Sequence, residues 1–416
     1  MTLDLVYIIF ACVVGLFMTW GVGANDLANI MSTTIGSKAI TARQAILIAV
    51  IFEFAGAFFG SAHVTNTIRT GIINIDLVHP EVYLIYGMLS ILLAGSVWMS
   101  LASFIGMPVS ITNAIVGGLV GFGAIVLGMD TIHWETVRHI ALSWVCSPLI
   151  AGLVSYLLFV LIQKRILSRS QPQKAIRKFL PVFLLGVGSV LSIMVVLKGL
   201  EHFNIHFSFL ANFLLVIATS LLVVALGYAM LWRIPVAKHE DLHGQLIYTE
   251  KVFSILMGLT ACAMVFAHGS NDVAIAVGPI AAIFGIIHSG ELLNASTPIP
   301  SWIVALGAFG VVIGFLTYGR KVIETVGSGI TALTPSRAFC ATLAAATTVI
   351  VSTSTGIPVS ATQTLVGAVL GVGLARGIGA LNLTVIRNIF TSWIITIPAA
   401  AGICIVFFFL LKAIFS

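Results

Sequence analysis

The sequence predicts an all-α protein that crosses a membrane many times, and three observations carry this prediction. Only 8% of the 416 residues are Asp, Glu, Lys or Arg, whereas about a quarter of the residues of a soluble protein are charged. The apolar residues, 59% of the chain, are grouped in runs long enough to cross a bilayer. The chain also contains an internal duplication. These features exclude a water-soluble enzyme and predict about 10 to 12 transmembrane helices, several of them broken.

Ten apolar runs reach the length of about 20 residues that a bilayer-spanning helix needs. They lie near residues 4–24, 41–61, 82–105, 138–162, 179–199, 207–232, 249–268, 301–319, 337–355 and 388–413. Two further apolar stretches, 108–128 and 358–378, begin with proline and are rich in glycine. We expect these two to form shorter helices, and we expect unwound backbone around Asn25 and Asn271.

The basic residues predict the orientation of the chain. The segment 163–178 carries Lys164, Arg165, Arg169, Lys174, Arg177 and Lys178 and no acidic residue. Short basic loops stay in the cytoplasm, so this segment is predicted to be cytoplasmic in a multi-pass protein of the plasma membrane. If five crossings precede it, the N-terminus lies outside. The net charge of +6 is therefore explained without a nucleic-acid partner.

The internal duplication comprises three blocks in the same order. PVSITNAIVGGLVGFG at 108–123 returns as PVSATQTLVGAVLGVG at 358–373, and RHIALSWVCSPLIAG at 138–152 returns as RNIFTSWIITIPAAAG at 387–402. Upstream, GVGANDLAN pairs with AHGSNDVAI. We divide the chain into an N-terminal repeat (1–162), a basic cytoplasmic loop with linking helices (163–248) and a C-terminal repeat (249–416). Two inverted repeats with broken helices or re-entrant hairpins are typical of secondary transporters, which bind their substrates at the bilayer midplane.

Asp26, Glu53 and Asp272 lie within apolar runs, where an ionised carboxylate costs at least about 2.5 to 3.5 kcal/mol. Asn25 and Asn271 stand directly beside the two aspartates. Neighbouring carboxylate and amide oxygens are hard ligands that suit sodium. The alternative is a protonated aspartate hydrogen-bonded between helices.

Glu53 and His268 are two further candidate residues. Glu53 fits either an ion or proton site or a buried interhelical hydrogen bond, and we hold both readings open. His268 directly precedes the Gly-Ser-Asn-Asp motif that contains the second Asn-Asp pair, which suggests a role in coupling.

The two PVS-x-T motifs suit an anion. Proline is favourable at a helix start, and Ser110, Thr112, Ser360 and Thr362 then place hydroxyl groups beside the free amides at the positive end of a helix. Two such helix ends would hold a tetrahedral oxyanion. The alternative is a proline-kinked helix whose hydroxyls bond to their own backbone.

Four stretches of the sequence together resemble the inorganic phosphate transporter family of sodium- or proton-coupled symporters: GANDLANIMSTTIGSKAITARQAILIAVIFEFAGAFFGS, AHGSNDVAIAVGPIAAI and the two PVS-x-T motifs. The resemblance implies a homodimer of two-repeat carriers with phosphate held between two half-helices. It places phosphate at Ser110, Thr112, Ser360 and Thr362 and sodium at Asn25, Asp26, Asn271 and Asp272, with Asp26 and Asp272 also bordering the anion. It further implies that Glu53 is needed for transport.

Two departures from the family pattern concern coupling. Many members have histidine directly after the PVS-x-T threonine, where this chain has Asn113 and Gln363. We assign both amides to the phosphate site, and they cannot carry a proton as histidine would. Many members also have a glutamate where this chain has Thr342.

The sequence therefore predicts a sodium-coupled inorganic phosphate symporter that is not an enzyme and needs no cofactor besides sodium as co-substrate. Its expected partners are phosphate, sodium ions, the lipid bilayer and a second copy of the chain. The alternatives are a proton-coupled phosphate or sulfate permease of the same family and, from another class, an anion channel. No HExxH motif and no nucleophile with a base beside it indicates an enzyme.

Overall fold

The computed structural model describes residues 3–193, 196, 207–231, 241–289 and 299–415, and helices dominate this part of the chain. In chain order they are α1 (Leu3–Gly36), α2 (Ala42–Gly60), α3 (Ala62–Asn66, prolonged by the π-helical turn Thr67–Gly71), α4 (Val82–Ile105), α5 (Ile111–Leu127), α6 (Trp134–Leu167), α7 (Pro172–Ile193), α8 (Phe209–Leu231), α9 (Leu242–His288), α10 (Ser301–Tyr318), α11 (Arg320–Gly329), α12 (Pro335–Ser354), α13 (Ala361–Ala375) and α14 (Leu383–Phe415). Ten of them are long and apolar enough to cross a membrane. These ten match the ten predicted runs, so the all-helical membrane fold is confirmed; the ends of runs 179–199 and 207–232 lie outside the described residues.

The expectation of unwound backbone at the two Asn-Asp pairs is wrong. Both helices continue through the pair and are only widened there into the π-helical turns Gly23–Leu27 and Gly269–Val273. A π-turn accommodates one extra residue and keeps the backbone hydrogen-bonded, which matters because an unpaired backbone group inside a membrane is costly. The true interruptions are at 106–110 and 356–360, directly before and within the PVS motifs.

Helices α4 and α5 form a hairpin that returns to the side of the membrane on which it began. Gly87 packs against Phe122 and Gly95 against Ile115, so the two arms run antiparallel. The turn begins at Gly106, whose φ of 79° is readily adopted only by glycine.

Helices α12 and α13 form the equivalent hairpin in the second repeat. Its turn contains Gly356, with a φ of 74°. At the other end, Arg376 beyond α13 donates from Nη1 to the hydroxyl of Thr331, 3.0 Å away, just before α12 begins. Each hairpin therefore begins and ends on the same side of the membrane, and the next helix starts from that side.

The two repeats are inverted. Gly15 of α1 packs against Ile280 of α9, whereas Ile40, just beyond α1, lies beside Gly258. The two helices that carry the Asn-Asp pairs thus run antiparallel, which confirms the predicted inversion.

The basic segment lies at the opposite end of α1 from the N-terminus. Arg177 donates from Nε to the hydroxyl of Tyr248 near the start of α9, at 3.3 Å, and α9 is antiparallel to α1. If the basic segment is cytoplasmic, the N-terminus is outside, as the sequence predicts.

Each hairpin packs against the last helix of the other repeat through small residues. Gly121 of α5 contacts Ala401 of α14, and Gly371 of α13 contacts Gly152 of α6. Small residues let membrane helices approach closely. Each hairpin therefore packs against a helix of the opposite repeat, so residues of both repeats form these contact surfaces.

The predicted linking region, residues 163–248, contributes α7 and α8. Helix α7 packs against α9, and α8 packs against α7. Residues 194–195, 197–206 and 232–240 lie outside the described residues, and the proposed boundaries at 162 and 248 remain predictions.

Candidate functional site

The two asparagines hold the tips of the two hairpins. Asn25 donates from Nδ2 to the carbonyl of Met107 at 2.9 Å, and its Oδ1 accepts from the amide of Val109 at 3.0 Å. Asn271 donates to the carbonyl of Val359 at 2.7 Å and accepts from its amide at 3.3 Å. Each amide oxygen has a second lone pair, so both remain suitable as cation ligands while they position the PVS motifs.

Asp26 lies between the two repeats and is fully buried. Its Oδ2 accepts from the backbone amide of Ile111 at 3.3 Å, and its Oδ1 accepts from the hydroxyl of Thr362 at 2.5 Å. The first bond comes from the first hairpin and the second from the second hairpin. Asp26 and Asp272 are also close enough for their carboxylates to interact electrostatically. The sequence-predicted acids are therefore brought together in the protein interior.

Asp272 has a different set of neighbours. Its Oδ2 accepts from Nδ2 of Asn271 at 3.2 Å and lies 3.9 Å from Nε2 of His268. The other ring nitrogen, Nδ1 of His268, lies 2.7 Å from Oε1 of Glu53. These four side chains are all buried. His268 is thus hydrogen-bonded to Glu53 and lies near Asp272, while its Nε2 has no hydrogen-bond partner in the described part of the chain.

The glycines that precede the pairs permit these close contacts. A Cβ at Gly23 would lie 1.7 Å from the carbonyl oxygen of Val311, and one at Gly269 would lie 2.4 Å from that of Glu53. Only glycine fits at either position, because real Cβ atoms do not approach other atoms so closely. The GAND and GSND motifs therefore set the distance between the Asn-Asp helix and its neighbour.

The two PVS serines are N-caps of the half-helices. The hydroxyl oxygen of Ser110 accepts from the amide of Asn113 at 3.3 Å, and that of Ser360 accepts from the amide of Gln363 at 3.1 Å. A hydroxyl that accepts in this way still has its own hydrogen to donate. Ser110 and Ser360 can therefore bind an oxyanion at the positive ends of α5 and α13.

The two threonines are not equivalent. Thr362 donates to Asp26, whereas Thr112 donates to the carbonyl of Val359 at 2.8 Å. The Val359 carbonyl also accepts from Asn271, so it joins both repeats. In this state both threonine hydrogens are used within the protein, and an anion that binds them has to displace these bonds.

Asn113 and Gln363 lie on a different surface from the aspartates. Both line a cavity of about 700 Å³, together with Trp144 and Trp393. Asn113 donates from Nδ2 to the carbonyl of Trp393 at 3.4 Å. Within the described chain, the side-chain oxygens of Asn113 and Gln363 and the indole nitrogens of both tryptophans are buried without a hydrogen-bond partner. Their assignment to phosphate remains a prediction.

Sequence reasoning missed two features of the site. It treated Glu53 and His268 separately, although they form one pair, because they lie 215 residues apart in the chain. It also passed over Asn29, which is fully buried and whose amide atoms have no hydrogen-bond partner in the described part of the chain. The signal for Asn29 was its position three residues after Asp26, on the same helix face.

Comparison with known proteins gives a consistent result. A model of the phosphate transporter family matches residues 22–404. A protein of Haemophilus influenzae named "Putative phosphate permease" is 46% identical over 405 residues, which cover 97% of this chain and 96% of the relative. A Pyrococcus abyssi protein with the same designation is 39% identical over 402 residues, covering 97% of each chain.

A solved structure, described as the sodium-dependent phosphate transporter, is similar over nearly the whole fold. The TM-score is 0.90 at 38% sequence identity, and the match covers 98% of this chain and 100% of that one. The likeness therefore includes both repeats and the linking helices.

Proposed function

Since the chain belongs to the phosphate transporter family, we propose that it is a sodium-coupled symporter that takes up inorganic phosphate across the plasma membrane. The observation that carries this proposal is that the two Asn-Asp pairs and the N-termini of the half-helices α5 and α13 lie together in the protein interior. Each Asn-Asp pair supplies cation ligands, and each PVS motif supplies donors for an anion. The description of the structural neighbour as sodium-dependent favours sodium as the coupling ion.

The electrostatics of the site explain why cations would accompany the anion. Asp26 and Asp272 are buried close together, so a phosphate ion that arrived alone would add charge to a site that already repels it. Sodium ions on the two carboxylates remove that repulsion before the anion enters a medium of low dielectric constant. Coupling follows, because each ion stabilises the binding of the other.

Asp26 favours phosphate over sulfate at this site. Hydrogen phosphate carries a hydroxyl that can donate to a carboxylate, and sulfate has none. Asp26 lies beside the amide of Ile111 at the start of α5, where an oxyanion would be held. Sulfate and a proton-coupled phosphate permease are the alternatives within the family. A homodimer is part of the proposal, because the resemblance implies one.

The test is uptake of labelled phosphate into proteoliposomes that contain the purified chain, under separately imposed sodium and proton gradients. We expect accumulation above equilibrium only with an inward sodium gradient, and weak competition by sulfate. Accumulation driven by the proton gradient alone would show that the coupling ion is the proton and not sodium. Sodium-independent equilibration without accumulation would indicate an anion channel instead.

A further inference from the structure

The candidate site is closed to both sides of the membrane. Asp26 is 0% exposed, and Asp272, Ser110 and Ser360 are each 1% exposed. A substrate can enter or leave only if some element moves on one side and then on the other. The contacts around the two hairpin tips identify which elements those are.

On the side of the basic segment, helix α11 closes the site. Its Gly327 packs directly against Gly36 and the carbonyl of Ser32, at the end of α1 beyond Asp26. From the same helix, Thr325 donates its hydroxyl to the carbonyl of Gly106 at the tip of the first hairpin, 2.8 Å away. Helix α11 therefore joins the end of α1 to the first hairpin.

Lys321 adds a second connection between α11 and the same hairpin. Its Nζ donates to the carbonyl of Phe104 at 2.9 Å, and it lies 4.6 Å from the centre of the Phe104 ring. A cation at the C-terminal end of α4 is favourable because the last carbonyls of a helix carry partial negative charge.

On the opposite side, α3 makes the equivalent contacts with the second repeat. Ile68 packs against Gly278 of α9, and Thr67 donates its hydroxyl to the carbonyl of Gly356 at the tip of the second hairpin, 2.8 Å away. Helix α3 thus joins α9 to the second hairpin as α11 joins α1 to the first.

The two arrangements agree in detail. Thr325 is also within 3.2 Å of the carbonyl of Lys321, and Thr67 is within 3.2 Å of the carbonyl of His63, in each case four residues earlier. Each threonine thus has an alternative acceptor within its own helix. When it leaves the hairpin tip its own hydroxyl therefore stays paired, and the cost of opening is the hydrogen bond that the hairpin carbonyl loses.

We propose that α11 is the cytoplasmic gate and α3 the outer gate of this site, and that Thr325 and Thr67 are the positioning residues that keep the two gates closed. The inference rests on the proposed transport function, but it concerns access of solvent to the site and not the identity of the ions. Opening α11 frees the tip of the first hairpin toward the cytoplasm. Opening α3 frees the tip of the second hairpin toward the outside.

The test measures the reactivity of cysteines buried behind each gate. The five native cysteines are replaced by alanine, and a single cysteine is introduced as Ser103→Cys, near the first tip, or Thr353→Cys, near the second. Ser103 is 0% exposed and Thr353 is 2% exposed. A charged, membrane-impermeant thiosulfonate is added to right-side-out or inside-out vesicles in the absence of phosphate.

Valine at position 325 keeps the shape of threonine and removes its hydroxyl. We expect Thr325→Val to speed modification of the first reporter from the cytoplasmic side about three- to tenfold, the effect of losing one neutral hydrogen bond, and to leave the outer reporter unchanged. We expect Thr67→Val to do the reverse. Thr325→Ser and Thr67→Ser, which keep the hydroxyl, should restore the original rates.

Thr391→Val is the matched control, because among the described residues the hydroxyl of Thr391 bonds only within its own helix, to the carbonyl of Arg387 at 2.9 Å. It should change neither reporter. Unchanged rates in both gate variants would overturn the proposal, and so would faster modification of both reporters from both sides by either variant. Neither result depends on whether phosphate is the substrate.

Discussion

The two Asn-Asp pairs occupy equivalent backbone positions but have different chemical surroundings. Gly23 packs against the carbonyl of Val311 and Gly269 against that of Glu53, so Glu53 of the second site corresponds to Val311 of the first. In the same way His268, directly before Gly269, corresponds to Val22. The first pair therefore has apolar neighbours where the second has a buried histidine and glutamate.

The hydroxyl groups differ between the two sites as well. Asp26 accepts from Thr362 of the opposite repeat, whereas Thr112, the equivalent of Thr362, donates to the carbonyl of Val359 and not to Asp272. The duplication thus preserved the geometry that positions the hairpins, while the groups that balance each carboxylate diverged. Four predictions separate the shared geometry from the divergent chemistry, and they run from the largest expected effect to the smallest.

Removing either carboxylate should abolish coupled uptake. We expect Asp26→Asn and Asp272→Asn each to lower sodium-dependent phosphate uptake at least about 100-fold, because each removes the charge of a buried cation site. The measurement is initial uptake in proteoliposomes. Asp130→Asn, at an exposed loop position, is the matched control and should keep full activity. Substantial uptake by either site variant would show that its pair is not a coupling site.

The pair of Glu53 and His268 should be coupled energetically, because they form one buried unit. We expect Glu53→Gln alone to destabilise the protein by about 3 kcal/mol or more, since it leaves His268 buried with a changed partner. The double variant with His268→Gln should cost clearly less than the sum of the two single variants.

The measurement is denaturation of the purified protein in detergent for the wild type, the two single variants and the double variant. Additive losses would mean that the two side chains do not stabilise each other. In that case the second site would resemble the first more closely than the contacts indicate.

The two threonines should respond unequally to removal of their hydroxyls. Hydrogen bonds to charged groups contribute about 1.5 to 3 kcal/mol, whereas those between neutral groups contribute about 0.5 to 1.5 kcal/mol. We expect Thr362→Val to destabilise the protein by about 1.5 to 3 kcal/mol and Thr112→Val by about 0.5 to 1.5 kcal/mol, measured by denaturation of the purified variants in detergent. Equal effects would contradict the asymmetry of the two sites.

The packing of the hairpins should respond equally in both halves. A Cβ at Gly117 would lie 2.7 Å from the carbonyl oxygen of Ile397, and one at Gly367 would lie 2.4 Å from that of Pro148. We expect Gly117→Ala and Gly367→Ala each to cost about 1 to 3 kcal/mol of stability. Gly186→Ala, where a Cβ would meet no atom within 4 Å, should be neutral or slightly stabilising. Thermal unfolding of the three variants is the measurement.

Local patterns in the sequence predicted most of the architecture. Apolar runs identified the spans, the order of the duplicated blocks indicated an internal duplication, and proline before Ser110 and Ser360 marked the starts of the half-helices. These features are local because they follow from the length, polarity and backbone preferences of short segments. The π-turns at the Asn-Asp pairs were missed, because a polar pair beside glycine is compatible with both a broken and a widened helix.

The asymmetry of the site could not be read from the sequence. It depends on contacts between residues far apart in the chain, such as Thr362 with Asp26, separated by 336 residues, and His268 with Glu53, separated by 215. In addition, a repeat is identified from the residues that its two halves have in common, so positions at which the halves differ are easily overlooked. Val22 and Val311 belong to no recognisable motif. Only the packing of the two repeats shows that they occupy the positions equivalent to His268 and Glu53.

Equilibrium binding of radioactive sodium to the purified protein, with phosphate present, tests most directly whether the mirrored acid-amide pairs are cation sites. We predict that Asp26→Asn and Asp272→Asn each remove part of the bound sodium and that the double variant binds none at these sites. Sodium binding by the double variant at the level of the wild type would contradict the assignment of both pairs.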